Sequence, residues 1–168
     1  MSESELEFVP VREPEHIAEL ANFADGIFRE YFLEFHPEEK VDYLCQYLLG
    51  TETLIRAIAD EGYEYYFMDE DGAHVGFVGI QPREGCLFLS KLYLLAEQRG
   101  QGLGRQGFEF VKRRAQDLGF DRIRLTCARD NVRSLAVYDH MGLEIVESVD
   151  TEVGEGIQMN DYILECRL

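Results

Sequence analysis

The stretch that decides the fold runs Lys91-Leu-Tyr-Leu-Leu-Ala-Glu-Gln-Arg-Gly-Gln-Gly-Leu-Gly-Arg105. Its apolar first half predicts a central strand, and its second half predicts a tight turn into a helix. Glycines let the backbone curl so that successive N–H groups point at one spot, where the helix dipole adds partial positive charge. A turn that only reversed the chain would not need alternating glycines flanked by Arg99 and Arg105. The stretch therefore predicts a phosphate-binding site.

The segment Gly102-Leu-Gly-Arg-Gln-Gly107 also matches the dinucleotide-binding pattern G-x-G-x-x-G. An acidic residue, Asp130, even lies past the end of the next predicted strand, where that pattern expects one. However, the segment before the glycines is predicted to be an antiparallel meander rather than a first βαβ unit. Only residues 131–168 follow Asp130, too few to complete a doubly wound sheet. We therefore set the dinucleotide-binding fold aside.

The periodicity of the apolar residues predicts the elements on either side of this stretch. A strand at 5–11 precedes helices at 14–34, 37–47 and 51–61, with a break near Gly26 left open and Thr51 and Thr53 as caps. Strands at 63–68 and 74–80 flank the hairpin signal Asp71-Gly72, and 86–95 is predicted as a central strand. A helix at 103–118 is followed by a strand at 122–127, a helix at 132–141, and strands at 143–149 and 161–168. Because repeats and linkers are absent, this order predicts one α/β domain over residues 1–168.

A second pattern, Asn131-x-x-Ser134-x-x-x-Tyr138-x-x-x-Gly142-Leu143, falls on the helix predicted at 132–141. Asn131 and Tyr138 are about two helical turns apart, so their side chains lie on one face with Ser134 between them. Asn131 also suits the N-cap of this helix, which could be its only role. Tyr138 is either a core aromatic residue or a functional phenol.

Together, the two patterns resemble the acetyl-CoA motif and the second motif of the GCN5-related N-acetyltransferases, the GNAT superfamily. The resemblance rests on Arg99-x-x-Gly102-x-Gly104 after Leu92-Tyr93-Leu94, followed by the Asn131 pattern, and is sharp over residues 75–149. Leu143 departs from the family, which usually has an aromatic residue after the glycine. The resemblance implies an α/β fold with a mixed, mostly antiparallel sheet flanked by helices. In it, parallel strands at about 86–95 and 122–127 splay apart around the cofactor.

The resemblance also implies an enzyme that transfers an acetyl group from acetyl-CoA to a primary amine by direct attack in a ternary complex. Backbone N–H groups near Leu92 or Leu94 would polarise the thioester carbonyl. Tyr138 would act as general acid on the departing thiolate. The implied acetyl-CoA-binding residues are Leu92, Tyr93, Leu94, Arg99, Gly100, Gln101, Gly102, Leu103, Gly104, Arg105, Asn131 and Ser134.

The sequence leaves the general base open. Many members of the family use a carboxylate on the central strand, and residues 86–95 contain none. Tyr93, Glu84 and a chain of water molecules are the candidates. Two other functions also stay open: a protein or peptide N-acetyltransferase, and a module that binds acetyl-CoA without catalysis.

Composition restricts the partners. The 16 Lys and Arg residues against 33 Asp and Glu give a net charge of −17, which disfavours nucleic acid and anionic membrane surfaces. The acidic amino terminus does not resemble a signal peptide and no apolar run is long enough to span a membrane, so we expect a cytoplasmic protein. The four cysteines and four histidines form no ligand spacing, so we expect neither a metal nor a disulfide.

The acceptor amine is predicted less directly. In the family the amino-terminal helices usually shape the acceptor site, which makes Phe28, Tyr31 and Phe32 candidates, although helical spacing also suits them to the core. Aromatic faces can hold a cation, and the negative net charge favours a small cationic amine. The ending Gly-Glu-Gly-Ile-Gln-Met-Asn-Asp-Tyr-Ile-Leu is loosely similar to polyamine-acetylating members. Since twofold dimers are the commonest oligomers, a homodimer is an open expectation.

Overall fold

In the computed structural model, which describes residues 5–168, the elements follow the predicted order. They are β1 (Glu7–Val11), α1 (Pro14–Leu33), α2 (Glu38–Leu49), α3 (Thr51–Asp60), β2 (Glu64–Glu70), β3 (Ala73–Arg83), β4 (Cys86–Leu94), a 3₁₀ turn (Ala96–Gln98), α4 (Leu103–Asp117), β5 (Arg122–Ala128), α5 (Val132–His140), β6 (Glu144–Glu152) and β7 (Gln158–Arg167). The strands hydrogen-bond in the order β1-β2-β3-β4-β5-β7-β6. Strands β4 and β5 run parallel, and the other pairings given by register are antiparallel. The predicted fold class is therefore confirmed.

The contacts divide the chain into two compact units. The first contains the residues up to Gln81 together with Lys91–Gly107, and the second contains Pro82–Ser90 and Phe108–Leu168. Strand β4 and helix α4 each contribute residues to both units. The prediction of a single domain stays a prediction.

The first unit is built on antiparallel strands covered by α1. Strands β2 and β3 form the predicted hairpin, whose turn residues Asp71 and Gly72 have φ of 51° and 82°. Positive φ at both central positions matches the right-handed twist of the flanking strands, which explains why an Asp-Gly pair occurs here. The N–H of Leu95 donates to the carbonyl of Val75 at 2.9 Å, joining the end of β4 to β3.

The structure answers one open question about the helices and contradicts one expectation. Helix α1 passes through Gly26 without a break, because the buried Ala24, Ile27 and Phe28 on either side hold it against the strands. The N-cap of α3 is Gly50 rather than a threonine. Gly50 also ends α2, and a Cβ there would lie 2.6 Å from the carbonyl oxygen of Gln46, so only glycine fits this shared corner.

In the second unit the parallel pairing is short. Residues 87–89 of β4 pair with residues 123–125 of β5, and β5 then continues to Ala128 with β7 as its partner. Within residues 5–168, no further β4 residue is in register with β5, and the predicted splaying of the two strands stays a prediction. The core of this unit includes Ile123, Leu125 and Leu164.

Among residues 5–168, no helix combines the length and the apolar character needed to cross a membrane.

Candidate active site

The turn between β4 and α4 presents a run of backbone N–H groups. The first bond into α4 joins the N–H of Gln106 to the carbonyl of Gly102 at 3.2 Å. The N–H groups of residues 100–105 have no hydrogen-bond partner within residues 5–168. An ordinary helix leaves about four N–H groups unpaired at its start, so the turn extends the helix terminus into a longer set of donors.

Glycine is required at two positions of this turn. Gly100 and Gly102 have φ of 78° and 82°, in the left-handed region that residues with a Cβ rarely occupy. Alternating left-handed residues curve the chain so that neighbouring N–H groups converge, the arrangement that binds anions. The curled backbone predicted from the glycine pattern is thus present, and its binding of phosphate stays a prediction.

Two arginines flank the converging N–H groups. Arg99 and Arg105 are exposed, and neither guanidinium has an ion pair or hydrogen bond within the described part of the chain. By contrast, Arg29, Arg124 and Arg129 are each held by carboxylates. Arg99 and Arg105 are therefore available to an external anion, even though acidic residues greatly outnumber basic ones in this chain.

Leucine side chains of β4 pack against the first turn of α4. Leu103, the first residue of α4, is 3% exposed, and Cδ1 of Leu94 lies 3.8 Å from where a Cβ on Gly104 would stand. A Cβ on Gly107 would lie 2.7 Å from Cδ1 of Leu92. The first turn of α4 thus packs directly on Leu92 and Leu94, which fixes the N–H groups relative to β4.

The backbone of β4 offers a further donor. Because the N–H of Leu95 bonds to β3, and successive N–H groups in a strand point to opposite sides, the N–H of Leu94 points away from β3. Leu92 lies two residues earlier and has the same direction. Both N–H groups are thus directed away from β3, and their thioester-binding role stays a prediction.

The side chain of Tyr93 enters an aromatic cluster. Its ring lies 4.7 Å from that of Phe28, 6.0 Å from Tyr31 and 5.8 Å from Phe77, measured between centroids. Phe28 and Phe32 are only 1% and 4% exposed, and their rings pack on each other at 5.3 Å. Of the three predicted acceptor-binding residues, only Tyr31 presents an accessible surface in this structure.

Helix α5 carries the predicted residues of the second unit. Asn131 is its N-cap, and its Oδ1 accepts the N–H of Ser134 at 3.1 Å, as the sequence predicted. Tyr138 lies in the last turn, where its carbonyl accepts the N–H of Leu143 at 3.0 Å and Gly142 has φ of 91°. This is a Schellman C-cap with Leu143 buried beneath it, so the backbone of Tyr138 is firmly fixed.

Sequence reasoning missed Asp161, which opened the last predicted strand and received no role. It lies on β7 opposite Ala128 of β5 and Val149 of β6, and it is partly buried. Its carboxylate has no hydrogen bond or ion pair within residues 5–168, and burial raises its pKa, an effect that the charge of Arg129 partly opposes. A polar residue in the alternating run Met-Asn-Asp-Tyr-Ile-Leu was the only sequence signal.

Comparisons with known proteins show the family of this chain. The model of the acetyltransferase (GNAT) family matches residues 21–143, well over half of the chain. The chain belongs to this family. A curated relative, the uncharacterised N-acetyltransferase YjgM of Escherichia coli (strain K12), is 28% identical over 100 residues. That match covers 57% of this chain and 60% of the relative.

Solved GNAT structures share the fold over almost the whole chain. The PaiA N-acetyltransferase from Thermoplasma acidophilum, in complex with coenzyme A, has a TM-score of 0.78 at 19% identity and covers 100% of both chains. Spermidine/spermine N-acetyltransferase SpeG from Vibrio cholerae has a TM-score of 0.65 at 15% identity, covering 97% of this chain and 92% of that one. The match of the family model over residues 21–143 confirms the predicted family. GNAT membership supports the predicted class, an acetyl-CoA-dependent N-acetyltransferase.

The cysteines of this GNAT chain are poorly suited to carry an acyl group. All four are buried thiols, and burial raises the pKa of Cys45 and of Cys127 to about 11. A thiol with so high a pKa is almost entirely protonated near neutral pH and is a weak nucleophile. Within residues 5–168, no group of three or more His, Cys, Asp or Glu side chains is arranged to hold a metal ion.

Proposed function

We propose that this protein transfers an acetyl group from acetyl-CoA to a primary amine by direct attack in a ternary complex, and that the acceptor is a polyamine or another small cationic amine. The observation that carries the proposal is the run of unpaired N–H groups at residues 100–105. Such a run can surround a diphosphate without a metal, because each N–H donates to a phosphate oxygen and the helix dipole favours negative charge. Arg99 and Arg105 supply the full charges.

The strand before this turn supports the transfer step. A backbone N–H at Leu94 or Leu92 that donates to the thioester oxygen stabilises the oxyanion formed when the amine attacks the carbonyl carbon. Removing one such donor in other enzymes costs about 10²–10³ in rate. We assign Tyr138 the role of general acid: its phenol gives a proton to the sulfur as the C–S bond breaks, so that coenzyme A leaves as a thiol. Asn131 and Ser134, on the face of α5 that carries Tyr138, are proposed to contact the coenzyme.

The acceptor is proposed from charge and from similarity. A net charge of −17 attracts cationic amines, and Tyr31 and Phe35 present partly exposed aromatic rings that can contact an ammonium group. A fold neighbour, SpeG, is named as a spermidine/spermine N-acetyltransferase.

Two measurements test the proposal: calorimetric titration with acetyl-CoA, and release of free thiol during incubation with a panel of amines. Arg99→Ala and Arg105→Ala should each weaken acetyl-CoA binding about 10- to 150-fold, the loss of about 1.5–3 kcal/mol expected for a hydrogen bond between charged groups. Arg113→Ala on the exposed side of α4 removes the same charge and should leave affinity unchanged. Equal affinity in all three variants would show that the anion does not bind at this turn.

The amine panel separates the alternatives. Spermidine, spermine and putrescine, single amino acids, an aminoglycoside and lysine-containing peptides should be compared at saturating acetyl-CoA. Turnover restricted to peptides would favour a protein N-acetyltransferase, and tight binding without turnover on any amine would favour a non-catalytic module. Because the four native cysteines are buried, a thiol reagent should report the released coenzyme A with little background.

A further inference from the structure

The strand pairing of the second unit places one carboxylate beside the carboxyl end of β5. Asp161 lies opposite Ala128, the last residue of β5. The carbonyl of Ala128 accepts the N–H of Asn131 at 3.0 Å, and the carbonyl of Asn160 accepts the N–H of Arg129 at 2.9 Å. Asp161 is therefore connected through backbone bonds to the N-cap of α5, the helix that carries Tyr138. In open α/β sheets, ligands bind beyond the carboxyl ends of the strands, and this carboxylate lies at the carboxyl end of β5.

The side chain of Asp161 does not belong to the core of this unit. Paired residues share a face of a sheet, and successive residues alternate between faces. The buried residues Cys127, Leu125 and Leu164 occupy one face, and Asp161 occupies the other with Ala128. The strand thus directs this carboxylate to the face opposite the apolar core.

Asp161 is partly desolvated, and the charge of Arg129 only partly opposes the effect of this burial on its pKa. Its charged neighbours are Arg129 in the β5–α5 loop, Asp150 and Glu147 on β6, and Glu165 farther along β7. The Arg129 guanidinium is held by Ser148 and Asp150, at 3.1 and 2.5 Å, rather than by Asp161. Glu165 is bound by Arg124. Since Arg129 forms its hydrogen bonds with other groups, its charge offsets only part of the effect of burial, and the pKa of Asp161 is raised. Such a carboxylate costs stability in the folded protein, which is typical of functional groups.

We propose that Asp161 is the general base of the acetyl transfer, an inference that rests on the proposed function. The carboxylate takes one proton from the acceptor ammonium, directly or through one water molecule, and the freed nitrogen lone pair forms the new C–N bond to the thioester carbonyl. The C–S bond breaks as Tyr138 gives its proton to the sulfur. After the C–N bond has formed, the nitrogen loses its second proton through solvent to the phenolate of Tyr138, and Asp161 releases its own proton to solvent. The net products are the amide, the free thiol and one proton. In this scheme both proton-transfer groups belong to the second unit.

Asp161→Asn tests the proposal, because it removes the charge with little change in shape and breaks no hydrogen bond within the described residues. We expect kcat near neutral pH to fall about 10²- to 10⁴-fold, the usual contribution of one acid–base group, with the KM for acetyl-CoA unchanged. The defect should shrink as the pH approaches the pKa of the amine, since the free amine then needs no base. Loss of a merely structural residue would lower the rate equally at every pH. Glu144→Gln, the same charge change at an exposed position of β6 opposite Glu165, is the matched control and should keep wild-type kinetics.

Stability provides a second readout. Because a carboxylate with a raised pKa destabilises the folded state at neutral pH, Asp161→Asn should have a Tm equal to or above that of the wild type. If Asp161→Asn keeps wild-type turnover, the assignment of Asp161 as general base is refuted and the proposed function is not affected. A higher acceptor KM at unchanged kcat would also refute this assignment, because the carboxylate would then only hold the ammonium. A wild-type protein inactive on every amine would refute the proposed function and the base with it.

Discussion

The close approach of β3 to β4 at Gly76 gives the sharpest test of the site geometry. A Cβ on residue 76 would lie 2.4 Å from the carbonyl oxygen of Tyr93, 2.9 Å from Cδ2 of Leu94 and 3.3 Å from its Cα. Since carbon and oxygen atoms of neighbouring strands approach to about 3.3 Å at the closest, Gly76→Ala must push β4 away from β3 by about 1 Å. The backbone of Tyr93 and Leu94 cannot yield by rotating a side chain.

Two effects of different size follow. Overpacking of a well-packed interior costs about 1–3 kcal/mol, which for a protein of this size lowers Tm by about 2–12 °C. The displaced segment carries the Leu94 N–H that we propose as a thioester donor, and a shift of about 1 Å in catalytic geometry can cost about 10² in rate. We therefore expect kcat to fall about 100-fold when measured by thiol release at saturating acetyl-CoA and amine, well beyond what the lower Tm would cause at 25 °C.

Gly26→Ala is the matched control, since it adds the same methyl group to an exposed position of α1 with no atom within 4 Å. Alanine is favoured over glycine inside a helix by up to about 1 kcal/mol, so this variant should melt at or above the wild-type Tm with unchanged kcat. Wild-type Tm and kcat in Gly76→Ala would refute the spacing of β3 and β4 described above. A lower Tm with unchanged kcat would refute only the assignment of the thioester donor to this part of β4.

Two further predictions concern proton-carrying side chains. Tyr138→Phe should keep the acetyl-CoA affinity measured by calorimetry and lower kcat by about 10- to 10³-fold; unchanged kcat, with chemistry rate-limiting, would remove Tyr138 from the mechanism. His74 contacts carboxylate oxygens of Asp69 and Glu19 at 2.5 and 2.7 Å. Burial lowers the pKa of His74, but these two contacts outweigh burial and raise it above the usual value. The resulting stabilisation is complete below the unfolded-state pKa of about 6.5 and is lost as the pH rises through the folded-state value. In urea unfolding, His74→Gln should therefore be less stable than the wild type at about pH 6 and approach it at about pH 9.5; an equal deficit at both values would contradict the ion pairs.

The parts of the site that were predicted from the sequence depend on neighbours along the chain. Gly100 and Gly102 predict a curled backbone because few other residues adopt positive φ. Asn131 predicts a helix start because its short side-chain amide reaches the N–H of Ser134. The Schellman cap after Tyr138 depends only on the neighbouring residues Gly142 and Leu143. Such features require no knowledge of which strands pair.

The parts that were missed depend on pairing between distant segments. The position of Asp161 beside Ala128 depends on the pairing of β7 with β5, and no local sequence pattern predicts that pairing. The bond between His74 and Glu19 joins residues 55 positions apart. Helix α1 continues through Gly26 because tertiary packing of Ile27 and Phe28 outweighs the weak helix propensity of one glycine. Long-range contacts of this kind decide burial, and burial decides which carboxylates are perturbed.

The charge distribution explains why backbone N–H groups suit the task of this acidic chain. A net charge of −17 disfavours the approach of an anionic coenzyme and favours the approach of a cationic amine. That long-range field is screened beyond about 8 Å at physiological ionic strength, whereas N–H groups act at hydrogen-bond distance, where screening is weak. Converging donors at residues 100–105, with Arg99 and Arg105 beside them, can therefore bind a diphosphate without a general excess of basic residues. Under the proposed function, the rest of the acidic surface then attracts the cationic acceptor, so that binding of the coenzyme and recruitment of the amine do not require the same sign of charge.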